Sequence, residues 1–342
     1  MERPDLIGVV ADVQAYISFL EAELEKLRGK GKEAAPKAPE PTEPPTPLNV
    51  ITLTRKGVAK RTPRHFYGRQ RRSGMGVFDL EASEADPPRL LAVIDENEAV
   101  LLFSNFGRAF RVPVAKFVET AVRGRGDLVS LPLQAHERIV AALPAVPPAN
   151  ADGFIALVSQ RGWVRRVKAG YFGKGLIQGM TFHDVKEGGH LTAVCWTPGD
   201  GDLFVATKNG KGIRFSEHHV SRRGCLGIRV APGEETMAIT AVRADSGVFM
   251  ATNEGKGTIR LMSGFSANKA PGAGGKVAMK TEALIGATAV SNSDDIFIIS
   301  QLGKMIRFQA GEVPAKTGVV QGVNCMTLRN DEALAFTATA AG

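Results

Sequence analysis

One phrase recurs six times in this chain: a short apolar run, Ser or Thr, two residues, Gly, then a basic strand. The instances are Thr54 to Gly57, Ser104 to Gly107, Ser159 to Gly162, Thr207 to Gly210, Thr252 to Gly255 and Ser300 to Gly303. The glycines lie 50, 55, 48, 45 and 48 residues apart. A period near 50 is the mark of a blade-type β repeat. Such a unit cannot bury its own apolar face, so the repeats must stack into one closed or nearly closed body.

The fourth instance shows the local logic. Leu203-Phe204-Val205-Ala206 is an apolar strand, Thr207-Lys208-Asn209-Gly210 has the chemistry of a type I turn with Gly left-handed, and Gly212-Ile213-Arg214-Phe215 returns. Four positions after the turn glycine stands an arginine: Arg61, Arg111, Arg166, Arg214 and Arg307, with Arg260 one place out of step in the fifth repeat. Lys60 and Arg165 sit beside two of them. A fixed offset on a strand fixes a face. Two readings stand side by side. The arginines are structural, bridging to carboxylates or covering apolar surface, or they form a cationic array on one side of a ring, suited to a polyanion.

A second glycine lies 17 residues after the first in five repeats: Gly74, Gly124, Gly179, Gly227 and Gly272; in the sixth, Gly318 and Gly322 bracket the place. Basic residues crowd it: Arg69, Arg71, Arg72, Arg123, Arg125, Lys174, Arg222, Arg223, Arg229, Lys269, Lys276 and Lys316. Glycine lets backbone N–H groups approach a phosphate while nearby cations supply charge. The plainer alternative is an inter-blade turn that happens to be basic.

The formal net charge of +8 is unevenly spread. Residues 1–48 hold 6 Lys and Arg against 9 Asp and Glu, whereas the remainder holds 37 against 26. The repeat body is therefore the basic part, which favours nucleic acid or an anionic surface as partner. Cys195, Cys225 and Cys325 are far apart and form no metal pattern; they read as reduced residues of a cytoplasmic protein. No apolar run approaches the roughly 20 residues that span a bilayer, and the N-terminus has no secretory signal.

Before the repeats, residues 1–29 read as an amphipathic helix unit, with the helix expected over 5–28. Leu6, Val10, Val13, Ile17, Leu20, Leu24 and Leu27 follow alternating spacings of four and three, a heptad seam for a homodimer or for docking on a partner. Pro4 suits its start, and Gly29 and Gly31 its stop. Residues 30–48, with Pro36, Pro39, Pro41, Pro44, Pro45 and Pro47, read as an extended linker. The six repeats fill 49–340. The initial Met and the whole helix point to a stand-alone protein.

The segment Gln70-Arg71-Arg72-Ser73-Gly74-Met75-Gly76 resembles the gyrase A box, Q-R-R-G-G-K-G, of the C-terminal domain of the gyrase protein that cleaves DNA. Gly57 to Pro63 resembles the recurrent strand of that domain and Gly227 to Val230 another of its inter-blade segments, and the resemblance extends over about 49–340. It implies an all-β, six-bladed β-pinwheel, a propeller in which neighbouring blades exchange strands and DNA wraps the basic outer rim. Topoisomerase IV carries a related domain that mainly bends DNA. Ser73 stands for a glycine of the box and Met75 for its lysine, which removes a phosphate contact. The DNA-cleaving part of gyrase A is absent, and Tyr16, Tyr67 and Tyr171 are the only tyrosines. No cofactor or metal is expected: Gly274 to Thr281 lacks the second glycine of a phosphate-binding loop, and His218-His219 lack ligands at zinc spacing. The expectation is a non-enzymatic protein of the cytoplasm and nucleoid that bends or partly wraps double-stranded DNA. The box residues Gln70, Gly74 and Gly76 and the basic residues above are its contacts. The alternative is an interaction propeller that recruits a type II topoisomerase core through its N-terminal helix. Trp163, Phe106, Phe110 and Phe172 are candidates for base stacking or for blade core.

Overall fold

The computed structural model describes residues 10, 13–14, 16–22 and 43–340. The chain divides into two units, 1–40 and 41–342. In the first, residues 16–22 are helical; Val10, Val13 and Leu20 are exposed and Ile17 is partly covered. Leu6, Leu24 and Leu27 of the heptad seam lie outside the described residues.

The second unit is six antiparallel blades. Each takes a hairpin from one repeat, an inner strand from the same repeat, and a short edge strand from the next. In blade 1 the hairpin is Leu48–Thr54 and Val58–Pro63, the inner strand Pro88–Asp95, and the edge strand Asp127–Leu128. Blades 2, 3 and 4 repeat this with edge strands Met180–Thr181, Cys225–Leu226 and Lys276–Val277. Blade 5 receives two pieces of the sixth repeat, Ala315–Lys316 in parallel and Val323–Asn324 antiparallel, on Lys256–Leu261. Blade 6 receives Val77–Phe78 from the first repeat on Lys304–Gln309. The strand exchange expected of a pinwheel is therefore present at every junction, and it closes the ring.

The turn phrase has a physical reason in each hairpin. The turn glycine is left-handed in all six, with φ between 73° and 93°, and its N–H donates to the Ser or Thr carbonyl at 2.8–3.1 Å. In five turns the Ser or Thr hydroxyl also accepts the N–H of the first return-strand residue, as Thr54 does from Val58 at 3.1 Å. Alternating strand residues bury both blade faces, so six apolar clusters form, one between each pair of neighbouring blades. Ile51 and Leu53 pack on Val100 and Leu102 between blades 1 and 2, and Val50 packs with Phe297 and Ile299 between blades 1 and 6.

The inner strands surround a central channel of about 570 Å³. Opposite the residue before each hairpin Ser or Thr they carry Leu90, Ala141, Ala193, Ala238, Gly286 and Ala335, all of them lining it. Small side chains at this position in blades 2 to 6 let the inner strands converge, a pattern that periodicity alone did not pick out.

Candidate nucleic-acid interface

The strand arginines are rivets, and this corrects their reading as an external cationic array. Lys60, Arg214, Arg260 and Arg307 are 0, 8, 5 and 1% exposed. Arg307 forms ion pairs with Asp295 at 2.6 Å and Glu43 at 2.9 Å and donates to the Tyr67 carbonyl at 2.8 Å. Arg214 pairs with Asp202 at 2.7 Å and donates to the carbonyls of Met262 and Phe265. The half-buried members behave alike. Arg61 pairs with Glu119 at 2.7 Å and donates to the Phe117 carbonyl; Arg166 pairs with Glu217 at 3.0 Å and lies 4.7 Å from the Phe154 ring. Arg165 donates to the Phe182 carbonyl at 2.9 Å, and Arg260 to the Gly264 carbonyl at 3.2 Å. Arg61, Arg166, Arg214 and Arg307 thus reach from one blade's return strand to the short turn that opens the next repeat's crossing. A guanidinium suits the task because its planar fork serves a carboxylate and carbonyls together. Arg111 is half-buried and lines a rim groove between blades 1 and 2.

Lys60 is paired with Asp79 at 2.7 Å, and Asp79 also accepts from Thr52 at 3.0 Å and from the Tyr67 hydroxyl. Burial pushes the Lys60 ammonium below its ordinary pKa, against the opposing pull of the Asp79 charge. Burial, joined by that charge, pushes the Tyr67 phenol well up. Burial alone would raise Glu43, but the hydrogen bond and charge of Arg307, with Arg64, outweigh it and hold its carboxyl below the usual range. The end of the Pro-rich segment is thereby tied to the ring.

The exposed cations lie elsewhere, on the six segments that cross from blade to blade: 64–78, 114–128, 169–181, 217–226, 262–277 and 310–324. These hold Arg69, Arg71, Lys116, Arg123, Arg125, Lys174, Arg222, Arg223, Lys269, Lys276 and Lys316 at the surface, against two exposed acids, Glu119 and Asp127. Elsewhere on the ring exposed Lys and Arg equal exposed Asp and Glu, twelve of each. The crossing segments supply the outermost strand of every sheet, so the charge forms a belt on the outer edge, opposite the channel. Arg229 is exposed just after its segment.

The glycine that matters on these segments is the one just before the edge strand: Gly76, Gly126, Gly179, Gly224, Gly275 and Gly322. A Cβ there would sit 2.2 to 2.8 Å from the neighbouring blade, as at Gly76, 2.6 Å from the Met305 carbonyl oxygen. Its distance from the turn glycine varies with crossing length, so the fixed offset of 17 is replaced by this structural rule.

Of the aromatic candidates, Phe110 and Phe172 are core, 0% exposed, and Phe106 stacks on His190. Trp163 is half-buried at the start of its return strand. Burial pushes the Cys195 and Cys325 thiols up to about 12, so both are inert packing residues. Among the described residues no cluster of His, Cys, Asp and Glu is placed to hold a metal, and no helix is long and apolar enough to cross a membrane.

The family described as DNA gyrase C-terminal domain, beta-propeller, matches residues 48–84, 98–144, 201–242 and 294–340, just over half of the chain. The chain belongs to that family. It is 27% identical over 293 residues to the gyrase A protein of Escherichia coli (strain K12), covering 83% of this chain and 33% of that one. With the gyrase A protein of Mycolicibacterium smegmatis it shares 26% over 300 residues, 83% of this chain and 35% of the other. The chain thus spans about a third of the length of the curated relatives it matches. A solved DNA gyrase A C-terminal domain superposes with a TM-score of 0.72 at 20% identity, covering 85% of this chain and 99% of that one. The C-terminal domain of DNA topoisomerase IV gives 0.60 at 19%, covering 86% and 93%. At that identity both speak for the fold.

In this gyrase-family ring the box closes the circle. Gln70 N–H donates to the Arg307 carbonyl at 2.8 Å, Ser73 N–H to that of Cys325 at 2.8 Å, and Thr327 N–H to that of Gly74 at 2.9 Å. Arg72 donates from its backbone and side chain to Glu312, both at 2.9 Å, and its guanidinium also reaches the Asn324 carbonyl at 3.1 Å. Arg72 is thus spent on the ring seam, and Arg69 pairs with Asp295 while staying 44% exposed. Arg71 is the box cation held at the surface.

Ser73 takes φ 66°, a region that favours glycine, and Met75 is 49% exposed. Restoring the family residues should therefore act separately. Ser73→Gly is expected to raise stability by about 0.5 kcal/mol, relief of the left-handed strain less glycine's extra unfolded-state entropy. Met75→Lys should leave stability alone and steepen the salt dependence of DNA binding by about 0.9. Urea unfolding and salt-titrated gel shifts would read the two effects.

Proposed function

We propose that this chain binds duplex DNA along the outer edge of its ring and bends or partly wraps it, through phosphate contacts from the six crossing segments. The observation that carries this is the charge asymmetry: eleven exposed cations against two exposed acids on the crossings, and balance elsewhere among the described residues of the ring. A belt spread around a closed disc suits a long, regularly charged, bendable ligand better than a compact one. The contacts are Arg69, Arg71, Arg123, Arg125, Lys174, Arg222, Arg223, Arg229, Lys276 and Lys316, together with Lys116 and Lys269. Backbone contacts position the duplex and deformability selects the site, so binding depends weakly on sequence and favours flexible tracts.

The role is architectural, with strand cleavage left to a separate type II topoisomerase core, and it places the protein on the nucleoid. The exposed Val10, Val13 and Leu20 fit the N-terminal segment to pair with a second copy, which would tether two rings, or to dock on that core.

The test is binding against salt, joined to topology. If each crossing engages at least one phosphate, log K should fall with log salt with a slope of about −5 or steeper. Plasmid relaxed by an independent topoisomerase in the protein's presence should show a shifted linking number, its sign giving the handedness. A slope shallower than about −2 would sink the belt; a steep slope with unshifted linking number would leave bending without a chiral wrap.

A further inference from the structure

Exposed apolar side chains are concentrated on the same crossings as the cations. Eleven large hydrophobic residues of the ring are exposed, and nine of them lie on the six crossing segments, which hold less than a third of its residues. Singly scattered apolar residues need no explanation, but confinement to one basic edge does. The two most exposed on the ring are Ile177 at 73% and Leu128 at 70%. Both belong to the crossings that meet the edges of blades 1 and 2, where a groove of about 670 Å³ is lined by Leu128, by Gln178 next to Ile177, by Arg61, Arg111 and Lys116, and by the acids Glu119 and Asp127.

Their mounts are ordered. Leu128 sits on an edge strand opposite Val58. Ile177 accepts the Met180 N–H at 3.0 Å, and the Gln178 amide exchanges two hydrogen bonds with the Arg111 backbone at 3.1 and 3.2 Å. An apolar side chain on a fixed support, flanked by cations, is the device by which architectural proteins enter a minor groove, part a base step and kink the duplex.

We infer that Leu128 and Ile177 are wedges that insert into the minor groove of DNA lying on the outer edge, kinking it where it passes blades 1 and 2. This rests on the reading of the edge as a DNA surface and adds how the bend is made. The cations hold the phosphates while the two apolar tips make bending favourable at a local point. The net positive charge of these two crossings, exposed Lys116, Arg123, Arg125 and Lys174 against Glu119 and Asp127, selects nucleic acid over an apolar or basic protein surface as the occupant.

The experiment uses the full chain, a 40-base-pair mixed-sequence duplex with a fluorescent donor and acceptor at its ends, and the variant Leu128→Ser/Ile177→Ser. Both positions are exposed, so folding should be unaffected; circular dichroism checks this. The variant is expected to lose about tenfold or more in affinity, the size of one apolar side chain's burial. The end-to-end distance in its complex should lengthen, while its salt slope equals that of the wild type. Wild-type binding with unchanged affinity in the variant overturns the wedges and leaves the belt standing. Weaker binding with an unchanged bend overturns insertion too. No binding by the wild type overturns both readings at once.

Discussion

Arg307→Met should destabilise the ring by about 3 kcal/mol, whereas Arg71→Met should change stability by less than about 0.5 kcal/mol. Arg307 is 1% exposed and Asp295 is 0% exposed, and the pair is hydrogen-bonded at 2.6 Å. Taking away the guanidinium leaves a buried carboxylate and the Glu43 carboxylate without their shared partner, and also frees the Tyr67 carbonyl. Removing one member of a buried pair typically costs about 3–5 kcal/mol. The lower end applies because Asp295 keeps Arg69 at 2.7 Å and Glu43 keeps Arg64 at 3.2 Å. The residue also holds the seam where the first repeat lends its edge strand to blade 6, so the loss should be felt at ring closure. Urea unfolding followed by circular dichroism measures both variants. Equal midpoints would mean that the strand arginine is no rivet.

That contrast shows what was legible in the chain and what was not. The six hairpins were legible because their turn has a steric requirement, a left-handed residue that only glycine takes cheaply, and a hydroxyl that caps the return strand. Strand exchange followed from the family resemblance, not from the residues. The arginines were visible as an array, but their direction was not, since alternation places a side chain on a face without saying whether that face is outside or between blades. A cue existed: Asp202 and Asp295 stand 12 residues before Arg214 and Arg307, on the facing hairpin strand two residues from the directly paired Phe204 and Phe297. The crossing cations were legible as a cluster, because they crowd together in sequence and no strand period constrains them. Their glycine was harder to see, since crossing length varies and the requirement is a close approach to the neighbouring blade. Glu43 had no signal at all; of its partners Arg64 is 21 residues away and Arg307 is 264.

The charge-reversal triple Arg71→Glu/Arg125→Glu/Arg223→Glu should lower DNA affinity roughly a thousandfold at 50 mM salt and reduce the salt slope by close to three. Each of the three is exposed, and they come from the first, second and fourth crossings, so the triple breaks the belt at separated points. Each lost phosphate contact forfeits the release of about 0.9 counterion, which sets both the slope and the size of the loss. Net charge alone would give a similar answer only if the field of the whole ring did the binding. A second triple, Lys186→Glu/Lys208→Glu/Arg329→Glu, changes the charge by the same amount at exposed positions off the crossings. Screening confines charges to about 10 Å at 0.1 M salt, so this control should shift affinity severalfold and leave the slope within one unit of wild type. Buried Arg214 makes no test of binding, because its reversal would set an anion beside Asp202 and unmake the blade. Gel shifts at four salt concentrations resolve the comparison. Two triples with equal losses would show attraction to the ring's total charge, and the outer edge would then have no special claim on the duplex.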